Sequence, residues 1–408
     1  MPGASERRVM RQAIIDGPGK DFVIREVPVP QPGPVETLLR ITVSTVCSRT
    51  DLGTIDGYHP PHGSAVMGML PHDLRIQLGR SELDVSRPYY PSSAFPGTAF
   101  PAVMGHEAAG TVVALGAEAN SPGHLVVSGQ PIRVGDRVGT YRVHGGYSDY
   151  SALDTANVFR TPDFMTDEEA SLMEPLIANY NCLHRCWSIA VPKTVVIIGQ
   201  GCQGLFSTQV ARALGTELII VSELSGHKRR LAVELGADVA IDPAGSNVVH
   251  EVEKLTGSAG ADLVVECVGR EETIRAVPFL VRRGGMIAQI GALTQPVTFD
   301  YGYVHFKHFI VVPVGYIRTL REVADQVVEV LELIKAGLIR PDRLLTHRFE
   351  LSDIQAAFEL IRRNPGEVVK VAIQMTGTGD LQGTTVWSTA HARAGPAESG
   401  RCRWPPAR

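Results

Sequence analysis

Two groups of residues in this 408-residue chain have the types and spacings that chemistry requires. The first is Gly199-Gln200-Gly201-Cys202-Gln203-Gly204, a G-x-G-x-x-G turn directly behind the β-branched run Val195-Val196-Ile197-Ile198. Leu205 to Leu214 follows without a turn residue and reads as a helix. Leu218-Ile219-Ile220-Val221 then reads as a second buried strand, with Glu223 at its end, nineteen residues after Gly204. In that setting Gly199 allows a tight turn, Gly201 lets backbone approach a pyrophosphate, and Gly204 lets helix and strand pack closely. Cys202 and Gln203 open the helix, whose free N–H groups and positive dipole end suit phosphates. Glu223 can accept hydrogen bonds from a ribose diol and would repel a 2′-phosphate. The expected ligand is a dinucleotide, NAD rather than NADP. Lys228, Arg229 and Arg230 temper that choice, since they could meet a 2′-phosphate if Glu223 turned away.

The second group is a set of potential metal ligands. His106 and Glu107 sit together in Met104-Gly105-His106-Glu107, just before a β-branched segment. Cys47 lies upstream in Thr45-Val46-Cys47-Ser48-Arg49-Thr50-Asp51, and Glu174-Pro175 lies downstream. A thiolate, an imidazole and one or two carboxylates are what a catalytic zinc with an open position uses. Taken singly, His106 is more often a satisfied turn histidine and Glu174 a helix-surface charge.

The elements that must hold these groups divide along the chain. Residues 9–60 alternate short apolar runs with Pro and Gly, a β-rich pattern, and 101–160 return to strands. Between them, 61–100 reads as a long insertion, a lid or an interface arm. Thr166 to Arg185 is predicted helical, with Thr166 and Glu169 forming a capping box. Strands are expected at 195–198, 218–222, 238–241, 262–266, 286–290 and 309–312, with helices between several of them. That alternation means a parallel sheet covered on both faces. A helix is predicted over 320–338, and 346–375 reads as β-rich chain rejoining the first domain. The division is thus 1–170 as a β-rich domain, 171–318 as the dinucleotide-binding domain, 319–376 as a return, and 377–408 as a disordered tail.

Composition sets bounds on function. With 44% hydrophobic and 20% charged residues the chain is an ordinary globular protein. A net charge of −4 gives no reason to invoke nucleic acid or an anionic membrane. The sequence holds no apolar run of membrane-spanning length, and its first residues lack a signal peptide's apolar core. Six cysteines, at 47, 182, 186, 202, 267 and 402, are too scattered for a disulfide framework and fit a reducing cytoplasm.

These residues resemble a family, the zinc-type medium-chain dehydrogenase/reductases, over about Val9 to Met375. Gly105-His106-Glu107 with Gly110 and Gly116 is similar to the family's G-H-E-x-x-G-x-x-x-x-x-G segment, and the glycine turn at 199–204 sits where its dinucleotide turn belongs. Leu263 to Gly269 and Gly284 to Gly291 resemble its later coenzyme strands, whose ends (here Val268 and Gly291) border the nicotinamide. Glu174-Pro175-Leu176 resembles members, notably polyol dehydrogenases, with a glutamate at or near zinc. The resemblance implies a Rossmann domain inserted into a β-rich, GroES-like catalytic domain, and association into dimers or tetramers, expected through edge strands near 286–315. It implies one catalytic zinc held by Cys47 and His106, with Glu107 and Glu174 completing or exchanging in the shell. Zinc polarises an alcohol or carbonyl oxygen, hydride passes to or from nicotinamide, and Thr50 is the hydrogen-bond partner of the reacting oxygen. Asp51 is expected to orient the metal loop. Ser44-Thr45-Val46-Cys47 and Val112 to Val138 resemble alcohol dehydrogenases of phosphonate and specialised-metabolite pathways.

The chain departs from the family in four places. The metal loop carries an extra residue, so matching it from upstream makes Cys47 the ligand and from downstream Ser48; thiolate, the stronger zinc ligand, favours Cys47. Gly53 stands where a relay histidine belongs, leaving Thr50, water, His59 or His62 to carry a proton. Only Gly139 to His144 occupies the place of a four-cysteine lobe, so no structural zinc is expected, and Cys182 and Cys186 read as packed side chains. The 61–100 stretch carries Arg75, Arg80, Arg87, Tyr89 and Tyr90, which would suit an anionic or polyhydroxylated substrate if it is a lid. The expected activity is hydride transfer between NAD(H) and a secondary alcohol or polyol or its carbonyl. A zinc-free reductase of an activated double bond or imine, and a non-catalytic dinucleotide-binding protein, are the alternatives.

Overall fold

The β-branched runs of the chain's second half become the six-stranded sheet of a computed structural model. The structure describes residues 8–56, 100–121, 130–141, 143–293, 297–314 and 322–375, with backbone alone for 75–78, 81–84 and 320–321. Residues 1–378 form one compact unit and 379–408 another, and the second lies outside the described residues.

Strand order in the sheet is Val239–Ile241, Leu218–Ser222, Thr194–Ile198, Ala261–Glu266, Val281–Gln289, Ile310–Pro313, all parallel. Val195, Val196, Ile197 and Val264 are wholly buried, as strands covered on both faces must be. The order reverses beside Thr194–Ile198, and a crevice outside the carboxyl ends of strands at such a switch point is where ligands bind in this architecture.

The other large sheet runs Val158–Arg160, Arg137–Thr140, Glu107–Leu115, Glu36–Thr45, Lys370–Gln374, Leu345–Glu350, with Tyr150–Asp154 also pairing with Glu36–Thr45. Chain from the far end therefore completes a sheet begun by the near end: Ala372 pairs with Thr45, and Gln374 with Val43.

Several boundaries differ from the sequence-based expectation. The predicted 166–185 helix is two helices, Asp167–Ser171 and Met173–Ile189. Pro175 has no N–H to give the Ser171 carbonyl, so the first helix ends at Leu172 and a second begins. The capping box is present, with Thr166 and Glu169 each satisfying the other's backbone. The stretch read as β-rich, 346–375, contains the helix Ile354–Arg363 between its two strands, which pair in parallel and need such a crossover. The predicted 320–338 helix stops at Lys335. Of the segment read as an insertion, Arg75–Leu78 and Ser81–Asp84 form an antiparallel hairpin. The rest of it, with His59 and His62, lies outside the described residues except at Phe100, as does the tail from 376.

Candidate active site

Strand register brings the metal-ligand types together. In the antiparallel pair of Glu36–Thr45 with Glu107–Leu115, Thr45 lies opposite Glu107. Cys47, two residues past one strand, and His106, one residue before the other, therefore emerge at the same sheet end. Ligand atoms of Cys47, His106 and Glu107 all lie within 4.8 Å of one another. Cys47 is the N-cap of the Ser48–Ile55 helix, and its sulfur lies 3.3 Å from Thr50 Oγ1. Ser48 is exposed on that helix, and the Cys47 sulfur is the loop atom that lies within 4.8 Å of the His106 and Glu107 ligand atoms, so the extra loop residue is absorbed with Cys47 at the site.

Buried charges surround this cluster. Asp51 Oδ2 accepts the Cys47 N–H at 3.1 Å and the Tyr147 hydroxyl, while Oδ1 stands 3.5 Å from His106 Nδ1. Glu107 is fully buried; Lys370 Nζ lies 2.7 Å from one of its oxygens and 2.6 Å from the other, and Thr45 donates to it as well. Burial alone would discourage protonation of His106, but Cys47, Asp51 and Glu174 outweigh it and hold its pKa well above the usual histidine value. The donors gathered here, a thiol, an imidazole and carboxylates, are the types that hold zinc. Glu174 lies outside the 4.8 Å group yet acts on His106 electrostatically. Burial raises the Asp51 carboxyl above its ordinary range, partly opposed by His106 and the Tyr147 hydrogen bond.

The glycine turn meets its geometric demands. Gly199 has φ +85°, and a Cβ there would lie 2.5 Å from Val268 Cγ2. A Cβ on Gly204 would lie 1.8 Å from the Gly199 carbonyl, so helix and strand approach only without one. Around Gly201 a Cβ meets no protein atom within 4 Å, leaving open space where a pyrophosphate is expected at the helix N-terminus. Glu223 Oε2 accepts the Gln200 N–H at 2.6 Å and Oε1 the Ser225 N–H at 2.8 Å, which fixes the carboxylate beside the turn. Arg229 spends its guanidinium on the Glu223 and Leu224 carbonyls and on Asp242, and Lys228 donates to the Pro365 carbonyl. Gln203 turns both its oxygens to Asn179. Gly291 packs against Val268 and Gly269, whose N–H groups donate to buried Glu266.

The metal-ligand cluster and the start of the glycine-turn helix are close enough to interact electrostatically. The Cys202 thiol is pushed up to about 12 by burial; Lys370 opposes this, while Glu107, Cys47 and Glu174 add to it. Arg49, two residues past Cys47, donates to the Gly269 and Ala292 carbonyls at the ends of coenzyme-sheet strands. Cys182 and Cys186 are buried in the Met173–Ile189 helix, and burial raises both thiols.

Lys370, Tyr147 and Arg49 are site residues that reading the sequence passed over. Lys370 had a signal, a lone cation inside the apolar run Val368-Val369-Lys370-Val371-Ala372-Ile373. Tyr147 had only its place after two glycines.

The chain is similar to known proteins in sequence and fold. Residues 204–335 match the zinc-binding dehydrogenase family profile, and 64–163 the alcohol dehydrogenase GroES-like domain profile. An alcohol dehydrogenase of Cupriavidus necator is 26% identical over 375 residues, 90% of this chain and 99% of its own length. An L-threonine 3-dehydrogenase of Pyrococcus horikoshii is 29% identical over 388 residues, again 90% and 99%. In fold, a Sinorhizobium meliloti protein solved with NADP matches at TM-score 0.68 and 23% identity, covering 90% of this chain and 99% of that one. With one profile on the parallel sheet and the other on the sheet that carries His106, the chain belongs to the zinc-type medium-chain dehydrogenase/reductases and is an oxidoreductase of the alcohol dehydrogenase type.

Proposed function

We propose that the chain oxidises a small secondary alcohol or polyol, or reduces the matching carbonyl, using one zinc and NAD in preference to NADP. The observation that carries this reading is the convergence of Cys47, His106 and Glu107 ligand atoms within 4.8 Å of one another, with Cys202 of the dinucleotide turn within electrostatic reach. Cys47, His106 and Glu174 are the proposed metal holders. Glu107, already bonded by Lys370 and Thr45, supports them from behind and is available for exchange. Zinc, when bound, supplies Lewis-acid polarisation of the substrate oxygen and so lowers the alcohol pKa. The nicotinamide supplies the hydride acceptor. The chain's own residues do the remainder. Thr50 Oγ1, beside the Cys47 sulfur, accepts a hydrogen bond from the substrate hydroxyl and, as that proton leaves, passes its own on to water, because buried Gly53 offers no side chain for a relay. Asp51 orients His106, and the Val268 and Gly291 loops, braced by Glu266, wall the nicotinamide.

Metal analysis of protein purified without added zinc or chelator tests this directly. About one zinc per subunit is expected, with NAD reduction on a panel of secondary alcohols and polyols. Protein that is folded, binds NAD and holds no zinc would overturn the reading in favour of a zinc-free reductase, which the altered loop and missing relay histidine would then explain.

NAD preference makes a second expectation. Glu223→Ala should weaken NAD binding about tenfold or more, by loss of a charge-assisted hydrogen bond to the ribose. NADP should lose much less, since the repelling carboxylate goes too. Calorimetry with both nucleotides reads the ratio; equal losses would contradict the ribose contact. Self-association is proposed through the sheet edge at Ile310–Pro313, where Ile310 and Val311 are about half exposed.

A further inference from the structure

Buried Tyr147 is tied to the two segments that position the proposed metal ligands. Its hydroxyl donates to Asp51 Oδ2 at 2.5 Å. Its backbone N–H donates to the Met104 carbonyl at 3.1 Å, two residues before His106, and the Gly146 N–H to the Gly105 carbonyl at 2.9 Å. Gly105, at φ +91°, lies so close that a Cβ there would stand 2.7 Å from the Tyr147 nitrogen. One turn, Gly145-Gly146-Tyr147, thus fixes both the backbone leading into His106 and the carboxylate that faces its ring.

The arrangement of Asp51 shows what the hydroxyl does. Asp51 is 2% exposed, so its orientation depends on protein donors rather than water. The Cys47 N–H and the Tyr147 hydroxyl both take Oδ2. Oδ1 is left toward His106 Nδ1, which turns the other ring nitrogen away from the carboxylate. A carboxylate on the far nitrogen of a ligating histidine fixes its ring and raises its basicity. We infer that Tyr147 is a positioning residue for the metal site, acting through Asp51 on His106. This rests on the zinc reading of the site.

Tyr147→Phe removes the hydroxyl and keeps the ring, which packs edge-on against Phe22 and Phe358 at centroid distances of 6.3 and 6.0 Å. Zinc affinity, read by competition with a chromophoric chelator, should fall about 10–100-fold. The absorption bands of the Co²⁺-loaded protein should shift, and the melting temperature of chelator-stripped protein should stay near wild type. Added to Asp51→Ala, Tyr147→Phe should cost no further affinity. Phe358→Leu, which loosens the ring's packing but spares the hydroxyl, should lower the melting temperature and leave zinc affinity unchanged.

Wild-type protein that binds no zinc would sink the zinc reading itself. Zinc bound by wild type and, within about twofold, equally by Tyr147→Phe would overturn this inference alone. A Tyr147→Phe chain that fails to fold, or a Phe358→Leu variant with the same affinity loss, would assign the tyrosine to packing and also overturn it.

Discussion

Replacing Cys47 with serine is expected to empty the metal site, from about one zinc per subunit to almost none, and to lower kcat/KM at least about a thousandfold. A thousandfold is about 4 kcal/mol of transition-state stabilisation, the scale of a lost Lewis acid. Serine matches the shape but not the chemistry, because its neutral hydroxyl is a poor ligand beside a thiolate. The fold should survive. Cys47 is only partly buried, and its backbone N–H to Asp51 is untouched by the substitution. NAD binding should persist as well, since the glycine turn belongs to another sheet. Zinc content, activity and NAD affinity measured on one preparation separate these effects. A serine variant that kept its zinc would move the ligand role to other side chains.

Lys370→Met should destabilise the fold by about 3–5 kcal/mol, more than Cys47→Ser, Glu223→Ala or Tyr147→Phe. Lys370 and Glu107 side chains are 4% and 1% exposed, so removing the ammonium leaves a carboxylate with no water to replace it. Burial works against a charged lysine, yet Glu107, Cys202 and Cys47 together hold the Lys370 pKa above its usual value. The double variant Lys370→Met with Glu107→Gln should recover most of the loss, because it removes both charges and not one. Denaturant unfolding of the wild type and the three variants measures the coupling. A loss below about 1 kcal/mol in Lys370→Met would show that the pair contributes no more than a surface ion pair.

Legibility in the sequence followed the range of the interaction. The glycine turn and its flanking strands could be read because turn chemistry and β-branched runs act over a few neighbouring residues. Cys47, His106 and Glu107 were readable as ligand types, but that the Cys47 sulfur lies beside the other two depends on the Thr45–Glu107 register. The break at Leu172 had a local signal, Pro175, outweighed by the helical pattern on either side. Lys370 and Glu107 are 263 residues apart, and Tyr147 and Asp51 are 96 apart. Lys370 stands out as a cation in an apolar run, but nothing nearby in the chain names either residue's partner, because only the closed sheets bring them together.

The strand that delivers Lys370 also sets an order of events during synthesis. Every strand of the parallel sheet, from Thr194 to Pro313, leaves the ribosome before Lys370–Gln374 does. That sheet can close on its own contacts while Glu36–Thr45 still lacks one of its partners and Glu107 its counter-charge. The growing chain must therefore carry an open edge and an uncompensated carboxylate past the completion of its second lobe. For that interval the unfinished first sheet offers pairing to any other strand it meets, which makes it the segment most in need of chaperone cover.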